Sequence, residues 1–356
     1  MQLPVMPPVA PMLAKAVREL PVGERWYYEP KWDGFRSLVF KDRDELELTS
    51  RNERSLTRYF PELTSVLRRE LPERCVLDGE IVIVDRSGRL DFDALLARIH
   101  PAASRVAELA ESTPASYVAF DLLALGETNW SGEAFSARRV ALERVLANRR
   151  GALACTPVSR DPAQAAEWFA RFEGGGLDGV IAKRGDLAYR PDERVMAKWK
   201  HERTADCVVA GLRRDERGKV ASLLLGLYDR DGVLHHVGVA SAFSRARRDE
   251  LADRLAPLGL ALGEAHPWIG GEARGRRPGG ESRWGRGRDA AFEPLRPELV
   301  AEVAYDHLQG DRFRHATQLR RLREDRLATS CGYAQLEVVP PTVLSELLGR
   351  PPGGAT

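Results

Sequence analysis

Residues 29–36 read EPKWDGFR, and the lysine at position 31 is an uncommon residue in this chain. Only seven of the 54 basic residues among the 356 are lysines. Arginine stays protonated at any working pH, whereas a lysine amine can become a nucleophile once its pKa falls. The stretch therefore predicts either a nucleophilic amine at Lys31 or a surface salt bridge of Lys31 with Glu29 or Asp33.

Three further lysines also lie in short motifs within or beside strand-like runs. Lys183 lies in LDGVIAKR (177–184), and Lys198 and Lys200 lie in AKWK (197–200). Like charges disfavour the protonated form of a neighbouring amine, so these lysines are candidates to activate Lys31. They are equally good candidates to hold the phosphates of a nucleotide.

Length, charge and cysteine content set the broad limits. The length predicts two domains, and a net charge of +2 means that any basic surface must be local. The four cysteines are far apart and form no C-x-x-C pair, which argues against a zinc site and for reduced residues in the core. The first residues do not resemble a secretory signal. The sequence has no run of 18 apolar residues, so it predicts no membrane-spanning segment and no membrane as partner. We therefore expect a cytoplasmic protein.

The hydrophobic pattern predicts an α+β fold. Up to about residue 200, buried strand-like runs such as CVLDGEIVIVD (75–85) and SYVAFDLLAL (116–125) alternate with amphipathic helices. After residue 200 come short strands, a hairpin over 220–241 and one helix that begins near Ser244. This second run fits a small closed β-barrel of the oligonucleotide-binding (OB) type.

Seven short motifs, in order along nearly the whole chain, resemble those of the covalent nucleotidyltransferases, which include ATP-dependent DNA ligases, RNA ligases and mRNA capping enzymes. KWDGFR (31–36) resembles their K-x-D-G-x-R nucleophile motif. The other six are TSRNE (49–53), LDGEIV (77–82), VAFDLL (118–123), LDGVIAKR (177–184), AKWK (197–200) and RHATQLRRLREDR (314–326). The first stretch is most similar to ATP-dependent ligases of bacterial end-joining and repair, in particular the short stand-alone kind of mycobacteria.

The resemblance implies a domain order. It implies an adenylation domain of antiparallel sheets and helices, similar to the ATP-grasp arrangement, over residues 1–202. An OB-fold barrel over 203–330 and a C-terminal tail over 331–356 would follow. We expect a minimal, monomeric ligase that has no polymerase, phosphoesterase or DNA-clamping domain and that associates with the nucleoid when it works.

The resemblance also assigns roles to individual residues. Lys31 would carry AMP covalently, with ATP and Mg²⁺ or Mn²⁺ as cofactors, Glu80 would accept a hydrogen bond from the ribose, and Phe120 would stack on adenine. Asp33 and Asp325 are the further catalytic candidates. The remaining nucleotide-binding candidates are Glu29, Arg36, Arg51, Lys183, Lys198, Lys200, Arg321 and Arg323.

Two positions depart from the family pattern. The metal-binding motif usually begins with glutamate, where this chain has Asp178, and we expect Asp178 and Glu80 to hold the metal ion. The last motif usually ends in lysine, where this chain has Arg326. Charge is kept at both positions.

The expected activity is the sealing of nicks in duplex DNA during repair and recombination, with a repair polymerase or an end-binding protein delivering the DNA. The Gly/Arg-rich stretch 271–288 around Trp284 predicts either an added electrostatic grip on DNA or a simple connector. An RNA ligase or a capping guanylyltransferase would share the lysine and the barrel. A non-catalytic nucleic-acid-binding protein is the second alternative, and the intact Lys31, Glu80, Lys198 and Lys200 argue against it.

Overall fold

The computed structural model describes residues 1–100, 102–147, 149, 151–261, 263–270, 274–279, 291–336, 342–344 and 347. The chain divides into two compact units, Met1–His201 with the C-terminal end of the chain, and Glu202–Val338. The stretch around Trp284 lies largely outside the described residues. Among the residues described, no helix is long and apolar enough to cross a membrane.

The first unit consists of two sheets and flanking helices. Its strands are β1 (Leu13–Val17), β2 (Trp26–Pro30), β3 (Phe35–Asp42), β4 (Glu45–Ser50), β5 (Arg74–Ile83), β6 (Ala115–Leu125), β7 (Thr128–Asn129), β8 (Leu153–Cys155), β9 (Val180–Arg184) and β10 (Arg194–Trp199). Its helices are α1 (Pro61–Glu70), α2 (Phe92–Ala97), α3 (Ala103–Ser112), α4 (Phe135–Val145) and α5 (Pro162–Arg171).

One sheet has the order β1-β10-β9-β2, and the other has the order β4-β3-β5-β6-β7 with β8 beside β6. Pairing is antiparallel except that β1 joins β10 and β8 joins β6 in parallel. The fold-class prediction of antiparallel sheets with helices is confirmed.

Strand β6 explains how the two sheets stack. Tyr117 and Leu122 pack in a core that includes side chains of α1 and α4, whereas Val118 packs with Tyr28 and Val180 of the four-stranded sheet. The six-stranded sheet is therefore covered on both faces. This double burial is the physical reason for the almost unbroken apolar run of this strand.

The second unit is a barrel. Its strands are β11 (Arg203–Arg214), β12 (Val220–Tyr228), β13 (Leu234–Ala240), β14 (Glu293–Tyr305), β15 (Leu308–Gln309), β16 (Arg312–Phe313) and β17 (Gln318–Arg323), and its helix is α6 (Arg245–Leu255). The main sheet has the order β13-β12-β11-β14-β17. A parallel bridge between Ala240 and Thr317 brings its two edge strands together, which closes the OB-type barrel predicted from the sequence.

The C-terminal segments divide between the units. Cys331 is fully buried in the core of the barrel, so the described residues 331–336 lie in the second unit. Leu344 is fully buried in the first unit, where its N–H donates to the Gly88 carbonyl at 2.9 Å. Gly175 provides the space, because a Cβ there would lie 2.6 Å from the Leu344 side chain.

Lys41 has a structural role. This lysine is buried, and its Nζ donates to the carbonyls of Arg68 at 2.5 Å and Leu71 at 2.7 Å. Both carbonyls belong to the end of α1, where backbone acceptors lack partners in the helix and a positive charge is favourable. A single nitrogen thus satisfies two acceptors in a confined space.

We expect Lys41→Met to lower the free energy of unfolding by about 1–3 kcal/mol, because two buried carbonyls lose their donor. Urea unfolding followed by circular dichroism measures the change. Lys15→Met is the matched control, since Lys15 is exposed in the same unit. Equal midpoints for the two variants would contradict the role given to Lys41.

Candidate active site

A pocket opens between the two sheets of the first unit. The six-stranded sheet contributes Arg36, Glu80 and Phe120 from β3, β5 and β6. Arg36 pairs directly with Glu80, and Glu80 pairs with Val118, which lies two residues before Phe120 on β6. Side chains two residues apart on a strand share a face. The strand period thus brings three separate motifs to one wall.

The four-stranded sheet forms the opposite wall, with Glu29, Ile181, Lys183 and Lys198 facing the pocket. Ile181 pairs with Glu29 on one side and with Lys198 on the other, so these residues form one row across three strands. Residues 11–14, at and before the start of β1, line the same wall beside Met196.

Lys31 lies directly after β2, at the edge of this pocket. Its N–H donates to the Gly179 carbonyl at 2.8 Å, and its carbonyl accepts from the Asp178 N–H at 2.9 Å. The next residue, Trp32, is buried and donates through its indole to Thr156 Oγ1 at 2.8 Å. The backbone that carries the amine is therefore fixed on both sides.

Gly34 completes this loop. A Cβ at this position would lie 2.2 Å from the Ile81 carbonyl oxygen, so only glycine allows β3 to start against β5 here. The glycine of the K-x-D-G-x-R motif is thus explained by a close backbone approach.

Asp178 contacts the amines of two lysines. Its Oδ2 forms an ion pair with Lys31 Nζ and a second one, at 2.9 Å, with Lys200 Nζ. The carboxylate is 7% exposed, whereas the two lysine side chains are 21% and 22% exposed. Lys198 is close to this group: burial, then the charges of Lys200 and Lys31, lower the pKa of Lys198.

Glu29 is a buried carboxylate at the inner end of the pocket. Lys183 Nζ contacts Glu29 Oε2 at 2.8 Å and also donates to the Phe120 carbonyl at 3.1 Å. Arg139 Nη1 lies 3.8 Å from Glu29 Oε1, and that oxygen accepts no hydrogen bond within the described part of the chain. Burial raises the pKa of Glu29, although the two cations oppose the shift.

Arg36 is held by a buried partner that sequence analysis did not single out. Its Nε and Nη2 donate to the two carboxylate oxygens of Asp78, each at 2.6 Å, and Tyr189 donates to the same carboxylate at 2.6 Å. Asp78 is fully buried. The sequence signal that could have identified Asp78 is its position in LDGEIV, because a carboxylate in a buried strand needs a cation partner.

Phe120 lines the pocket, and its ring contacts two cations. The centres of the Arg36 guanidinium and the Lys183 amine are each 4.6 Å from the centroid of its ring. These cation–π contacts orient the ring. Its expected stacking on adenine stays a prediction.

Glu80 is partly exposed to the pocket. Burial raises its pKa to about 8, although the charges of Arg36 and Lys31 oppose the shift. Asp33 is near enough for its negative charge to raise this pKa further. Arg51 lies exposed in the turn after β4 and lines the pocket as well.

The structure places the other predicted site residues in the second unit. Arg321 Nε contacts Glu302 at 2.7 Å, and Arg323 donates twice to Asp325 at 2.8 Å. The Arg323 guanidinium lowers the pKa of Asp325 to about 2. Each of these residues is thus held by a partner of its own unit.

Comparison with known proteins bears on both units. Residues 11–200 match the family model of the ATP dependent DNA ligase domain, and residues 216–326 match that of the ATP dependent DNA ligase C terminal region. DNA ligase C2 of Mycolicibacterium smegmatis is 55% identical over 348 residues, which cover 96% of this chain and 97% of that protein.

A second relative and a solved structure are also similar to this chain. DNA ligase C of Mycobacterium tuberculosis is 54% identical over 348 residues, covering 95% of this chain and 96% of that protein. A solved structure of a Lig E DNA ligase covers 88% of this chain and 99% of its own, with 15% identity and a TM-score of 0.52, and shows the same fold.

The family predicted from the seven motifs is confirmed, and its ATP use and DNA substrate follow. Both units match family models, and more than half of the residues are shared with a relative along almost the entire chain. This protein belongs to the ATP-dependent DNA ligases.

Proposed function

We propose that this ligase seals nicks in duplex DNA through an AMP adduct on Lys31, and that it does so in DNA repair. The observation that carries the proposal is the position of the Lys31 amine, at the edge of a pocket and in contact with Asp178. The nitrogen attacks the α-phosphorus of ATP, a P–N bond forms, and the P–O bond to pyrophosphate breaks.

Two transfers complete the reaction. An oxygen of the 5′-phosphate at the nick attacks the same phosphorus, the P–N bond breaks, and the lysine recovers its proton. The neighbouring 3′-hydroxyl then loses its proton and attacks the activated 5′-phosphorus, with AMP as leaving group. Arg51, exposed at the pocket, is suited to bind the 5′-phosphate, because a guanidinium matches the geometry of phosphate oxygens.

The lysines of the pocket have different roles in this proposal. Asp178, in contact with the Lys31 amine, would orient it and share its proton during the attack. Lys198 and Lys200 supply positive charge for the triphosphate. Lys183, bound to Glu29 and the Phe120 carbonyl, instead fixes the end of the pocket that we assign to the base.

Glu29 is suited to select adenine. Its Oε1 accepts no hydrogen bond from the described residues, and a buried acceptor without a donor is unfavourable. The exocyclic amine of adenine would donate to this oxygen. Guanine carries a carbonyl at the same position of the ring, which would face the carboxylate with a second acceptor.

The residues also fit a magnesium ion. No three metal-binding side chains gather anywhere in the described ranges, but Mg²⁺ is commonly held by one or two carboxylates with phosphate oxygens and water. Asp178 and Glu80 would hold Mg²⁺ or Mn²⁺ as this pair, since both lie near the Lys31 amine. When bound, the ion neutralises negative charge on the phosphates.

The second unit completes the proposal. Arg321, Arg323 and Asp325 would act on the pyrophosphate group of ATP during the first step, and a different face of the barrel would meet DNA during the later steps. DNA contact to phosphates and duplex shape suits an enzyme that must seal any sequence.

Lys31→Ala and Lys31→Arg should both abolish formation of the protein–AMP adduct, although arginine keeps the charge, because a guanidinium is not a nucleophile. Intact mass spectrometry after incubation with ATP and Mg²⁺ or Mn²⁺ measures the adduct. Lys219→Arg, at an exposed lysine paired with Asp249, is the control and should label like the wild type. An adduct on Lys31→Arg would place the nucleophile elsewhere.

Glu29→Gln should weaken the preference for ATP over GTP by about 10- to 100-fold, because it replaces a charged acceptor, whose hydrogen bond is worth about 1.5–3 kcal/mol, by a neutral amide. The ratio of kcat/KM for adduct formation with the two nucleotides measures it.

Glu143→Gln is the matched control for Glu29→Gln. Glu143 contacts the same arginine, Arg139, at 2.7 Å and is 48% exposed. We expect its nucleotide preference to equal that of the wild type. An unchanged preference in Glu29→Gln would remove Glu29 from base selection.

A further inference from the structure

Asp206 occupies a central position in the second unit. It pairs with Glu302 across β11 and β14, and Glu302 pairs with Arg321 across β14 and β17. The three residues therefore form one row across the sheet. Two carboxylates side by side repel each other, so this row needs neighbouring cations.

Two arginines of the last sequence motif supply that charge. Arg326 Nη1 donates to Asp206 Oδ2 at 2.5 Å, and Arg323 Nη1 donates to the same oxygen at 3.3 Å. The Asp206 side chain is 8% exposed, whereas those of Arg323 and Arg326 are 20% and 32% exposed. The carboxylate is thus more deeply buried than the two guanidinium groups that it holds.

The backbone of Asp206 is fixed as well. Its N–H donates to Gln335 Oε1 at 2.7 Å, and its carbonyl accepts from Gln335 Nε2 at 3.0 Å. The same amide nitrogen donates to the Gly332 carbonyl at 2.9 Å. The backbone that carries the carboxylate is therefore fixed in the middle strand of the sheet.

This arrangement gives a reason for arginine at position 326. Its Nε donates to Ser330 Oγ at 3.3 Å while Nη1 contacts Asp206. The guanidinium contacts these two partners with two separate nitrogens, whereas lysine has one nitrogen and would need both acceptors close to that atom.

We propose that Asp206 is a positioning residue for the first chemical step: it holds Arg323 and Arg326 so that residues 321–326 present their charges to the pyrophosphate group of ATP. The proposal rests on the function proposed above. Pyrophosphate leaves in the first step only. Residues that act on pyrophosphate have no role after AMP has been transferred to the 5′-phosphate of DNA. The effect of Asp206 must therefore be confined to the first step.

The test separates the two steps in the full-length protein. One assay follows formation of the protein–AMP adduct from ATP in a single turnover, and the other follows sealing of a nick that already carries a 5′-adenylate, without ATP. Asp206→Asn should slow adduct formation by about 10- to 100-fold at saturating ATP, since small misplacements of catalytic groups have effects of this size. Sealing of the adenylated nick should stay at the wild-type rate.

Asp249→Asn is the matched control, because Asp249 is an exposed carboxylate of the same unit, paired with Lys219 at 2.6 Å. Both of its rates should equal those of the wild type. Arg326→Gln should also slow adduct formation alone. It should add no further loss in the Asp206→Asn background, because residues that act as one unit have non-additive effects.

Equal slowing of both steps in Asp206→Asn would show a merely structural role and overturn the proposal, as would an unchanged rate of adduct formation. If Asp206→Asn does not fold, as judged by its thermal transition, Arg326→Gln decides by the same two rates. A wild-type protein that forms no adduct would refute the proposed function itself. A wild-type protein that labels normally, with an Asp206→Asn variant that labels equally fast, refutes only the role of Asp206.

Discussion

The backbone pairing of Lys31 with residues 178–179 is the contact on which the candidate site depends. It needs Gly179, whose φ of +125° suits glycine and whose Cβ, if present, would lie 2.1 Å from the Trp199 carbonyl oxygen. The glycine lets the backbone before Lys200 approach the backbone that carries Asp178. Three segments that are far apart in sequence meet there, and this places two lysine amines on one carboxylate.

The division of labour between lysine and arginine follows from geometry. Buried arginines form two-pronged contacts with carboxylates, as Arg138 does with Asp121 and Arg98 with Glu62. Buried lysines instead place one nitrogen between two acceptors, as Lys41 does at the end of α1. Lys41 and Lys183 thus lie where a compact, single-nitrogen cation meets two buried acceptors, whereas Lys15 and Lys219 are exposed.

Local sequence information was sufficient for part of this architecture. Strand β6, the hairpin of β12 and β13 and the cap of α6 at Ser244 each have their signal within a few residues, because burial, turn geometry and capping are local in the chain. Lys31 could be singled out because lysines are few in this chain and because six further motifs follow it in the order of the family.

Other features depend on contacts that no local pattern reveals. Asp78 meets Tyr189 across 111 positions, and Leu344 fills a space beside Gly175. The parallel pairing of β1 with β10 likewise joins the start of the unit to its end, and it brings residues 11–14 to the pocket. The two partners of each contact are far apart in the sequence, so only the three-dimensional fold reveals them.

The charges of the pocket fall into a fixed set and an exchangeable set. Glu29 with Lys183, and Asp78 with Arg36, combine deeply buried carboxylates with cations that are at most 20% exposed, and removing one partner of such a pair costs about 3–5 kcal/mol. Lys31 and Lys200 are 21% and 22% exposed and contact the same oxygen of the buried Asp178. Because the two amines share one oxygen, either amine can turn to a phosphate group while the other still pairs with the carboxylate. One pocket can therefore combine fixed ion pairs with a movable amine, because two cations share a single carboxylate oxygen at Asp178.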